Sequence, residues 1–101
     1  MKNAFCVCLS QSLVEKILNL VIGENFEPVI IQKIEDLPEV QSSDRIIIEE
    51  SQIKPLYYIL EKRQIIDAIE VMALTSRKTK EVDRERHAGK IRVMYIEASA
   101  L

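Results

Sequence analysis

Cys6 and Cys8, the adjacent carboxylates Glu49 and Glu50, the Thr75-Ser76 pair and the single histidine His87 are the side chains of this 101-residue sequence that could support chemistry. The two cysteines flank Val7 inside an apolar run. On a strand, side chains two apart share one face, and a disulfide between them would demand a distorted backbone, so reduced core thiols are expected. Cys8, followed by Leu9-Ser10-Gln11-Ser12, allows a second chemistry. A thiol ahead of a helix N-terminus is acidified by the backbone N–H groups that also bind phosphate. His87 has no cysteine or histidine at ligand spacing, so neither zinc nor any other metal or cofactor is expected.

Charge excludes further classes. Fourteen basic and sixteen acidic residues leave a formal charge of −2, which is no footprint for nucleic acid. The basic cluster Arg77, Lys78, Lys80, Arg84, Arg86, Lys90 and Arg92 is interleaved with Glu81, Asp83 and Glu85 and has no aromatic platform, so it reads as a solvated face. Two glycines are too few for a glycine-rich phosphate loop, and 48% apolar residues suffice for a core without disulfides or metal. The N-terminal apolar run of about six residues is too short to be a signal core or a membrane span, so a cytoplasmic protein is expected.

The elements that must position these groups alternate. Ala4–Leu9 reads as a buried strand. Ser10 or Ser12 can cap the next helix, Ser12 and Glu15 having the form of a capping box, and Leu13, Val14, Ile17, Leu18 and Val21 recur at helical spacing up to Gly23, placed to end it. Phe26–Ile31 reads as a second strand with Pro28 at its start or on an edge. Asp36-Leu37-Pro38 predicts a short helix ending near Val40. Arg45–Ile48 is the clearest strand, Ser51 can cap a helix facing inward through Ile53, Leu56, Tyr57, Ile59 and Leu60, and Ile69–Leu74 and Ile91–Ile96 are the last two strands. Residues 77–90 form a loop or a solvated helix. One domain over 1–101 follows: a three-layer α/β/α sandwich with a five-stranded parallel sheet of order 2-1-3-4-5, without a closing helix.

Aligned on its strand ends, the sequence resembles a response-regulator receiver domain over nearly its whole length. Asp44 to Glu49 resembles the stretch leading to the phosphoacceptor, with Glu49 at the acceptor position, Ala73 to Ser76 the stretch with the switch threonine Thr75, and Tyr95 the switch aromatic. The departures are equally definite. Leu9-Ser10 replaces the family's acidic pair, Glu49 its aspartate and Ala98 its lysine, so the metal ligands and the cation on which phosphoryl transfer depends are gone. The resemblance implies a degenerate receiver that is not phosphorylated by the usual mechanism. Glu49 either mimics the phosphorylated state or is a plain hydrophilic strand end, and Thr75 and Tyr95 are either switch residues or ordinary strand-end and core residues.

A non-catalytic regulatory module acting through protein contacts is therefore the leading expectation. Val82, Val93, Met94 and Tyr95 would form its interaction surface, and the apolar surface left by a missing closing helix would be covered by a second copy, as a homodimer, or by a protein partner. Two alternatives stand beside it. The Cys8 stretch is similar to the phosphocysteine loop of sugar-phosphotransferase B components, without their glycines, and Ile46 to Leu60 is faintly similar to the small regulatory F subunit of rotary ATPases.

Overall fold

The structure is a computed structural model that describes residues 2–41, 43–64, 69–76 and 92–101. Five strands, β1 (Lys2–Val7), β2 (Phe26–Ile31), β3 (Arg45–Glu49), β4 (Glu70–Thr75) and β5 (Arg92–Glu97), form one sheet. Its order is β2-β1-β3-β4-β5 and every pairing is parallel, the flavodoxin-like α/β arrangement. Among the described residues two α-helices cover it, α1 (Gln11–Gly23) and α2 (Ile53–Lys62). They lie on opposite faces because the step from β1 to β2 runs one way across the sheet and the step from β3 to β4 the other, and right-handed crossovers then alternate sides.

The strands serve both faces through the two-residue period of their side chains. Ala4, Cys6, Ile47, Met72 and Leu74 pack under Ile17 and Val21 of α1. Phe5, Val7, Ile46, Ile48, Val71 and Ala73 pack under Leu56 and Leu60 of α2, joined by Ile34, Leu37 and Val40 from the β2–β3 connection. Each helix contributes residues three and four apart, one apolar stripe turned to the sheet. Among the described residues no helix is long and apolar enough to cross a membrane.

The helix expected from Asp36 to Val40 is absent. A 3-10 turn occupies Ile34–Asp36, and Leu37 is extended at φ −61° and ψ 120°. Pro38 explains this, since its ring drives the preceding residue out of the helical region. Leu37 and Val40 are buried instead as an extended strap, whose carbonyls at Leu37 and Pro38 accept hydrogen bonds of 2.7 and 3.0 Å from the Arg63 guanidinium.

Of the two caps expected for α1 the structure takes Ser10, and the helix ends at Gly23 as expected. The helix begins at Gln11 with Ser10 at the cap position, so Ser12 lies inside the first turn and no capping box forms. Glu15 instead accepts a 3.5 Å hydrogen bond from Gln11. Gly23 is the last helical residue with open space around it, and the left-handed conformation that ends the helix belongs to Asn25 at φ 65°. Asparagine tolerates that conformation better than other residues with a Cβ.

Two side chains pin the amino-terminal edge of the sheet. Asp44 is buried, and its carboxyl oxygens accept the backbone N–H groups of Asn3 at 3.0 Å and Gln41 at 2.8 Å, joining the start of β1 to the turn before β3. Arg45 pairs with Glu24 at 2.5 Å and Glu70 at 3.5 Å, and its guanidinium lies 4.7 Å from the centre of the Phe26 ring. Replacement of Asp44 by alanine strands two donors, and the expected loss in urea unfolding is about 2–3 kcal/mol. Gly23→Ala is expected to raise stability by about 0.5–1 kcal/mol in the same assay, because nothing at that position requires glycine.

Candidate functional site at the carboxyl edge of the sheet

In open parallel sheets the crevice outside the carboxyl ends of the strands is where ligands bind. Here that edge carries a pocket of about 460 Å³ lined by Glu49, Glu50, Ser51, Thr75 and Ser76, with Leu13 of α1 and Ala98 closing its sides. Ala98 opens a 3-10 turn, Ala98–Ala100, directly after β5. Ala98 thus lies at the pocket wall and brings no charge.

The register determines which carboxylate meets Thr75. Glu49 is paired with Leu74, and both follow the side of Ile47 toward α1. One step past the end of that ladder, Thr75, the last residue of β4, continues the α2 side of Val71 and Ala73. The Thr75 hydroxyl, buried with its residue only 1% exposed, donates a hydrogen bond to Glu50 Oε2. Glu50 reaches it because β3 ends at Glu49 and a 3-10 turn, Glu50–Gln52, carries the chain over the end of β4 toward α2. Glu49, half-buried, shares the pocket without this contact being its own.

On the other flank Glu97 is the register partner of Thr75, so Thr75 stands between two carboxylate-bearing positions. Glu50 belongs to the strand-end carboxylate pair that the sequence itself offers, whereas its bond to Thr75 and the pairing of Thr75 with Glu97 are not carried by linear spacing. The parity of β5 leads to Glu97, which continues the side of Val93 and Tyr95. Tyr95 is half-buried against the α2-side core with Val93, whereas Met94 points to the other face and is 64% exposed. Val82, His87 and the basic residues from Arg77 to Lys90 lie outside the described residues, and of Arg92 only the backbone is described.

The two thiols do not share a face. β1 ends at Val7, and Cys8 takes a left-handed conformation at φ 54°, which breaks the alternation. Cys6 is fully buried on the α1 side, where burial pushes its thiol up from 9.0 to about 11. Cys8 turns toward α2, where its Sγ donates to the Gln32 carbonyl at 3.3 Å. It borders a separate pocket of about 560 Å³ lined also by Lys33, Gln52, Tyr58 and Lys62. The first strand therefore runs from Lys2 to Val7, not from Ala4 to Leu9, and the expectation of two core thiols holds for Cys6 alone.

No protein-family model matches this chain, and comparison with curated proteins and with solved structures finds no match. The chemical reading of the site rests on its own residues. Among the described residues no group of three or more His, Cys, Asp or Glu side chains is arranged to hold a metal ion. The described residues lining the crevice offer carboxylates and hydroxyls, and none of these described residues is basic.

The two glutamates separate by experiment. Thr75→Val is expected to cost about 1–2 kcal/mol in chemical denaturation through the lost bond to Glu50, and Glu49→Gln less than about 0.5 kcal/mol. Native-state labelling with a thiol reagent should modify Cys8 first and leave Cys6 protected until the protein unfolds. Because the folded Cys6 pKa lies above the unfolded one, its contribution to stability is complete below pH 9.0 and is lost as pH rises toward about 11. A Cys6→Ala variant should lack that component of the alkaline stability profile.

Proposed function

We propose that this protein is a non-catalytic, receiver-like regulatory module of the cytoplasm that acts through protein contacts. The observation that carries this reading is the hydrogen bond from Thr75 to Glu50. The strand-end hydroxyl that a receiver would direct to an incoming phosphoryl group already has a carboxylate acceptor supplied by the chain itself. Around it stand Glu49 and Ala98 where the family has an aspartate and a lysine, and Leu9-Ser10 stands in place of the acidic pair. Phosphoryl transfer works by positioning and by neutralising developing charge, and at these four family positions the sequence supplies neither the metal-binding acidic pair nor the lysine.

The contact surface in this reading is centred on β5. Val93 and Tyr95 anchor the strand in the α2-side core, and Met94 presents a large apolar side chain outward on a terminal strand of the sheet. Beside it a groove of about 410 Å³ runs along Met72, Val71 and Val93, with Arg45 and Glu70 at its rim. A methionine there suits a surface that adapts to a facing protein, and a second copy of this chain is the proposed occupant.

A phosphoryl-carrying role for Cys8 is the second reading, favoured by the half-exposed position of its thiol at a pocket with Lys33 and Lys62. It is weaker because Cys8 packs on the α2 side while α1, whose N-terminal N–H groups would have to hold the phosphate, covers the opposite face.

Sedimentation of the full chain over a range of concentrations is expected to show reversible self-association that Met94→Glu weakens at least tenfold. A monodisperse monomer at the highest concentration would remove the second copy as partner. In parallel, incubation with a small acyl-phosphate donor, read by intact mass, is expected to leave the chain unmodified. A phosphate adduct abolished by Cys8→Ser would replace this reading with the carrier role.

A further inference from the structure

We draw no further inference here: the strongest candidate, the pocket between the Cys8 turn and α2 that Lys33, Gln52, Tyr58 and Lys62 line, rests on a single thiol beside surface lysines, and nothing in the structure points to a ligand in it.

Discussion

Ile46, Ile47 and Ile48 are three consecutive residues with no exposed surface, and this run constrains everything around it. A strand sends neighbouring side chains to opposite faces, so such a run requires cover on both sides at once. Full burial of each isoleucine is worth about 1.5–3 kcal/mol, which leaves no stable arrangement with one face of β3 open to water. β1 on one flank and β4 on the other satisfy its backbone, α1 takes Ile47, and α2 takes Ile46 and Ile48. The reversal of strand order between β1 and β3 puts a helix on each face, and the crevice at the carboxyl edge follows from that same reversal.

The polar residues at that edge are where the run has to stop. Past Ile48 the chain must leave the sheet and reach solvent, and the first residues to do so are Glu49 and Glu50. β4 stays buried two residues longer, through Leu74 to Thr75, so its hydroxyl needs a partner inside the protein. Glu50, first residue of the turn that lifts the chain away from β3, supplies it. The contact thus joins two requirements of the fold, one strand leaving the core and its neighbour ending within it.

Much of this architecture was legible in the amino-acid sequence. The apolar runs at 26–31, 45–48, 69–74 and 91–96 located four strands to within a residue, and the spacing of Val14, Ile17 and Val21 located α1. What misled was local resemblance to signals whose context differs. Leu9 prolongs the apolar run past the end of β1, and only the left-handed backbone at Cys8 marks the true stop. Asp36 and Pro38 imitate a helix start, but Leu37 between them is buried under α2 and held extended. At the site, spacing within one strand pointed to Glu49, whereas the contact to Thr75 depends on register between strands 25 residues apart in sequence. Register arises from pairing across the sheet, and a linear pattern of residue types carries it only once the neighbours and their alternation are known.

That register also bears on the phosphorylated-state mimicry open to Glu49. Glu50 is the carboxylate bonded to Thr75, Glu97 is Thr75's partner on β5, and Glu49 lies in the same pocket. In the proposed reading the chain itself gives the Thr75 hydroxyl a carboxylate acceptor. On that reading Glu50, whose carboxylate meets the hydroxyl, is the better placed of the two glutamates to stand in for a phosphorylated state.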